Sequence, residues 1–158
     1  MTDANRALPP IDAAERFAVE EVIKRFGLSI DLRDWDMFGA CLDDRVLMDL
    51  DPKVAKTPDV KLPRKAVVAS AKTSFERYDA TLHMYSVATV DFDEAGAAVR
   101  TNFMANHYRE DEPGDRTFVQ YGLYLHRLRR QDDARWVVTE WHQTVRFSTG
   151  NRALMDRD

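Results

Sequence analysis

Hydrophobic positions recur at helical spacing in the first third of the chain and at strand spacing in the rest. Val19, Val22, Ile23, Phe26 and Ile30 fall at i, i+3, i+4, i+7 and i+11, and Asp12 followed by Glu15 resembles a capping pair. A long amphipathic helix is therefore predicted from Asp12 onward. Asp31-Leu32-Arg33-Asp34 breaks it, and Asp34 can cap a second, short helix whose apolar stripe is Trp35, Phe38, Cys41 and Leu42. Val46 to Leu50 reads as a short strand, and Asp51 to Pro63, with three prolines and no clear period, as a loop that could close over a ligand. Lys65 to Tyr78 reads as a third helix through Val67, Val68, Ala71 and Phe75.

After Tyr78 the pattern changes. Thr81 to Phe92, Ala97 to Arg109, Thr117 to Arg130 and Arg135 to Phe147 are rich in β-branched and aromatic residues and are separated by polar turns at Asp93–Gly96, Asp111–Gly114 and Gln131–Asp133. They predict consecutive long antiparallel strands. Strands of this length bend, with Gly122 a plausible bend point. Helices followed by strands imply an α+β domain, with helices on one face of a curled sheet and a pocket enclosed between them.

The 158 residues suit one domain with a real core. We place that domain at residues 11–147, with a disordered segment before it (1–10) and a loose tail after it (148–158). The net charge of −4 and the pI near 5.6 offer nothing to nucleic acid or anionic lipid. No apolar run is long enough to cross a bilayer, and the first ten residues lack a signal-peptide pattern, so the expected location is cytoplasmic. Cys41 is the lone cysteine and reads as a small buried hydrophobe. With no metal-binding His pair, glycine-rich phosphate loop or GxSxG elbow, neither a metal nor another cofactor is expected.

Asp31 lies at the C-terminal end of the first helix, where a carboxylate meets the negative end of the macrodipole and needs a cationic or hydrogen-bonding partner; a solvated turn aspartate is the bland alternative. His83 stands among apolar residues early in a strand, as a core group or a functional one. Alternation puts His107 on one face with Ala97, Val99, Thr101, Phe103 and Ala105, the concave side. An Asp–His pair in a pocket is the simplest tuned general base. Tyr85, Tyr121, Tyr124 and His126 could line the pocket or be packing, and His142 has the same status. Asp49 could face the cavity or solvent. Arg127, Arg129 and Arg130, followed by Asp132 and Asp133, read as a solvated strand end.

Three stretches carry a family resemblance: Ser29-Ile30-Asp31-Leu32-Arg33-Asp34-Trp35-Asp36 after the long helix, Thr81-Leu82-His83 at a strand start, and Gly122-Leu123-Tyr124 with Arg135-Trp136 near the end. Over Ala13 to Phe147 the chain resembles the SnoaL-like branch of the nuclear-transport-factor-two-like superfamily. That implies a cone-shaped, curved mixed sheet, an α+β barrel wrapped by three N-terminal helices. Within the branch it is most similar to the scytalone dehydratase type, which resembles bile-acid dehydratases and hexachlorocyclohexane dehydrochlorinase. The resemblance implies Asp31, His83 and His107 as catalytic residues, and we take Trp35, Tyr85, Phe103, Tyr121 and Tyr124 as substrate-binding. Ile30 and Leu50 stand where scytalone dehydratase has tyrosines, and Phe26 and Trp141 stand near where the dehydrochlorinase has a lysine and an arginine; loss of water is thus implied over loss of halide. The expected function is a cofactor-independent lyase, a dehydratase of a small, largely apolar cyclic hydroxy-ketone. An isomerase or cyclase with the same base is the first alternative. A non-catalytic ligand-binding module, or a subunit like the small subunits of ring-hydroxylating dioxygenases, is the second. A homo-oligomer, trimer or dimer, is expected.

Overall fold

The computed structural model describes residues 12–156, apart from Lys53. The segment predicted to be disordered, Met1 to Pro10, lies outside the described residues. Helix α1 (Ala13–Leu32) opens where Asp12 accepts the Ala14 N–H at 3.0 Å. Its core-facing stripe, Val19, Ile23, Phe26 and Ile30, is fully buried. Each such side chain contributes about 1.5–3 kcal/mol relative to exposure. The helix does not break at Asp31 but carries it in its last turn, ending on Arg33 in the left-handed region (φ 57°). Asp34 then caps α2 (Trp35–Ala40) by accepting the Met37 N–H at 2.8 Å. Cys41 and Leu42 do not extend that helix. Leu42 begins β1 (Leu42–Asp49), four residues earlier than predicted.

The predicted loop contains a two-residue strand, β2 (Leu62–Pro63), and leads into α3 (Arg64–Phe75). The long strands follow as β3 (Ala80–Asp93), β4 (Gly96–Tyr108), β5 (Thr117–Arg130) and β6 (Trp136–Gly150). They form one mixed six-stranded sheet in the order β2-β1-β6-β5-β4-β3, with β1 parallel to β6 and the other pairs antiparallel. This is the α+β architecture expected, with helices on the concave face. Bulges between β5 and β6 bend the sheet at Tyr121/Gly122 and Arg127/Leu128. Gly122 is required there, because a Cβ would stand 2.1 Å from the Thr144 carbonyl oxygen and 2.7 Å from the Phe103 ring.

The loose tail is a correction. β6 continues to Gly150, and Ala153–Asp156 forms a helical turn, α4. Leu154 is fully buried, packing with Tyr78 and Phe118. A short polar segment with one leucine shows no period, yet burying that leucine is enough to dock it. On the convex face, Met84, Met104, Tyr121 and Phe147 align in register across four strands. Met84 and Phe147 are more than half exposed there. Among the described residues no helix is long and apolar enough to cross a membrane.

Candidate active site

The last turn of α1 and the start of β3 meet at Asp31 and His83, 52 residues apart. Asp31 Oδ1 accepts from His83 Nδ1 at 2.7 Å, and Oδ2 accepts the His83 backbone N–H at 2.7 Å. The Thr81 hydroxyl donates to Oδ1 at 2.9 Å. Behind Thr81, the Arg33 guanidinium donates to Thr81 Oγ1 at 2.8 Å, to the Ile30 carbonyl at 2.6 Å and to the Tyr78 carbonyl at 3.3 Å. The cationic counterpart that a helix-end carboxylate needs is therefore Arg33, acting through Thr81. Burial pushes the Asp31 carboxyl up, but the side-chain hydrogen bond and charge of His83, its backbone N–H and Thr81 together hold it below its ordinary value. An ionised Asp31 fixes the His83 proton on Nδ1 and leaves Nε2 as a lone pair.

The His83 side chain, only 2% exposed, lines a cavity of about 200 Å³. An engineered cavity of about 150 Å³ accepts benzene, so one substituted ring or a small fused pair fits. Its walls are mostly apolar, with Phe75 from α3, Ala105 from β4 and Trp141 from β6; residues of the 51–63 stretch, including Val54, Thr57 and Pro58, complete its lining, which also carries Lys56, Arg77 and Gln143. Met155 of α4 lines it too, and Tyr78 Oη donates to Met155 Sδ at 3.1 Å. His107 also lines it, its ring centroid 6.0 Å from that of His83. The Phe118 carbonyl, which can only accept, takes the His107 Nδ1–H at 3.2 Å. Burial, then the neighbouring His83 charge, lowers the His107 pKa to about 4. At neutral pH its Nε2 is an acceptor and not an acid.

The structure thus places His83 and His107 on one cavity with Asp31 bonded behind His83, and scatters most of the residues taken as substrate-binding. Tyr124 lines the cavity. Phe103 stacks on Tyr124 (centroids 4.1 Å apart) and Tyr85 meets it edge-on (5.4 Å), both one layer behind the wall. Burial raises the Tyr85 hydroxyl well above its ordinary pKa. Trp35 packs against Phe38 beside the core. Tyr121 is on the convex face, stacked on Phe147 at 4.5 Å, because an odd separation from Tyr124 along a strand means opposite faces. His126 lies under the wall, fully buried between Phe26 and Tyr124. His142 bonds Asp49 at 3.1 Å and Glu140 at 3.0 Å beside an exposed Asp49. Arg127, Arg129 and Arg130 are paired with Asp93, Asp43 and Glu15. Burial lifts the Cys41 thiol to about 11. No cluster of three or more His, Cys, Asp or Glu suited to a metal occurs among the described residues.

Several polar residues of the site escaped the sequence reading, Arg33, Thr81 and Gln120 among them. Arg33 and Thr81 sit inside the two motifs, where D-x-R and T-x-H spacing could have marked them as the frame around the pair. Gln120 lines the cavity, and its even spacing from Tyr124 was the available signal.

The SnoaL-like domain profile matches residues 12–142. No curated protein matches the chain. Among solved structures, the Kfla4162 protein from Kribbella flavida superposes with a TM-score of 0.82 at 22% identity, over 92% of this chain and 100% of that one. A candidate scytalone dehydratase from Novosphingobium aromaticivorans gives 0.72 at 20% identity, over 88% and 89%. A type 2 hexachlorocyclohexane dehydrochlorinase gives 0.72 at 12% identity, over 87% and 89%. At these identities the likeness is one of fold.

Proposed function

We propose that this chain, which belongs to the SnoaL-like domain family, is a cofactor-independent lyase that dehydrates a cyclic β-hydroxy-ketone. The observation that carries the reading is the 2.7 Å bond from His83 Nδ1 to Asp31, which leaves Nε2 of a cavity-lining imidazole as the basic atom. His83 Nε2 takes the proton from the carbon beside the carbonyl, and the C–H electron pair moves onto the carbonyl oxygen. When the pair returns, the C–O bond to the β-hydroxyl breaks. The proton held on Nε2 passes to the departing oxygen, and water leaves. His107, with a lone pair at Nε2, holds the hydroxyl by accepting its hydrogen bond rather than protonating it. One group that both removes and returns the proton requires hydrogen and hydroxyl on the same ring face, so elimination is syn. A positioned base contributes about 10²–10⁴-fold, and the apolar walls strengthen its electrostatics by excluding water.

The test is turnover on a panel of cyclic β-hydroxy-ketones by mass spectrometry, with His83→Gln and Asp31→Asn checked for folding. Both variants should lose about 10²-fold or more. Near-full turnover in both would refute the mechanism, and a product of unchanged mass would point to an isomerase or cyclase using the same base. The chain's self-association would cover the apolar row Met84, Met104, Tyr121 and Phe147 on the convex face, and sedimentation of Met84→Asp against the parent reads it.

A further inference from the structure

We propose that the Gln120 side-chain amide holds the substrate's carbonyl oxygen, across Ala105 from His83. The proposal rests on the assignment of His83 as base and adds the group that receives the developing charge. Strand register carries it. His83 of β3 lies opposite Ala105 of β4, and Ala105 lies opposite Gln120 of β5. The three residues form one row across the concave face, and all three line the cavity. Neighbouring strands are about 4.8 Å apart, so the His83 and Gln120 backbones are separated by roughly 10 Å. Ala105 projects only a methyl group between two long side chains, which leaves room for a flat ring with its acidic carbon on one side and its oxygen on the other. His107, two residues along β4 on the same face, stands where a substituent one carbon further round the ring would reach.

Gln120 is 95% buried, its residue exposure being 5%. Its amide has no protein partner among the described residues. The other cavity glutamine, Gln143, donates to Tyr124 Oη at 3.3 Å, while its Oε1 is buried without a partner. The Gln120 amide is not sealed in the wall but opens onto the cavity, so it is free to meet whatever enters. A primary amide supplies N–H donors without a charge of its own. It binds a ketone oxygen modestly and the enolate oxygen formed from it more strongly, which is the differential that accelerates a reaction.

The experiment uses 2-naphthol, a stable aromatic enol, as the probe of the enol form, with affinity read by its fluorescence. The parent protein should bind it, and Gln120→Leu should bind about 2- to 10-fold more weakly, as expected for loss of a hydrogen bond between neutral groups. Gln120→Leu should melt at or above the parent's temperature, since no protein hydrogen bond is lost. Absence of 2-naphthol binding by the parent, unchanged affinity in Gln120→Leu, or a lowered melting temperature accompanying the loss would each overturn the proposal. Deuterium exchange of 2-tetralone in D₂O, followed by NMR, reports on the base separately. Exchange unaffected by His83→Gln would remove the base while leaving a Gln120-dependent affinity intact.

Discussion

His126 offers a quantitative check on the core beneath the cavity. Its side chain is fully buried, with Phe26 and Tyr124 rings at 5.1 and 5.5 Å, and neither ring nitrogen has a hydrogen-bond partner. Burial first, and the His142 charge second, lower its pKa to about 3. The unfolded chain, with an ordinary histidine value near 6.5, therefore takes up a proton that the folded chain refuses. Stability from this group is fully present above about pH 6.5 and is lost progressively as the pH falls toward the folded value. Between pH 8 and pH 5 the loss comes to about 2 kcal/mol. His107, with its pKa of about 4, contributes a similar loss. Replacing His126 with Leu leaves His107 in place, so the difference between the two proteins isolates one imidazole. Urea unfolding at both pH values should show the variant losing about 2 kcal/mol less than the parent on acidification. At pH 8 the variant should be at least as stable, because an unsatisfied polar group worth about 1–3 kcal/mol has gone. An equal loss from pH 8 to pH 5 in both proteins would refute the reasoning, since His126 would then titrate alike in folded and unfolded chains.

Other consequences are local. Leu154→Ala should cost about 2–5 kcal/mol in denaturant unfolding, because the side chain is fully buried against Tyr78 and Phe118; a loose tail would show no change. Gly27→Ala would bring a Cβ to 2.6 Å from Tyr85 Cε2, so α1 and β3 must move apart or the ring must shift. The expected loss is about 1–3 kcal/mol, read as a lowered melting temperature. Asp31, held below its ordinary value, contributes stability that is present above about pH 4 and lost as the pH falls through its folded value. Asp31→Asn should therefore flatten the stability curve below pH 4, read by urea unfolding across that range.

The face assignments that alternation could make were good within a strand. Ala97, Val99, Thr101, Phe103, Ala105 and His107 do share the buried face of β4. The same rule, applied to Tyr121 and Tyr124, would have separated them. Period breaks were harder to see. The bulge at Tyr121/Gly122 lets Phe147 join Tyr121 on the convex face, although Trp141, Gln143 and Val145 of the same strand point inward. An element with one buried leucine, such as α4, carries too little pattern to announce itself, and Gln120 looked like any polar residue in a strand.

Periodicity and capping residues by themselves determined the long first helix, the four long strands and the α+β order, because local backbone preference and the need to bury one face act over a few neighbours. The short motifs around Asp31 and His83, with His107 on an inward face, were also visible in the chain. Their contact was not. A bond spanning 52 residues exists only because α1 packs on β3, with Gly27 yielding space to Tyr85 and Arg33 joining the helix end to Thr81. Tertiary packing likewise decided which aromatics meet the cavity, set His107 neutral by burial, and put Gln120 in one row with Ala105 and His83. Each of these depends on register, bulges and desolvation among segments far apart in sequence, and no local pattern encodes them.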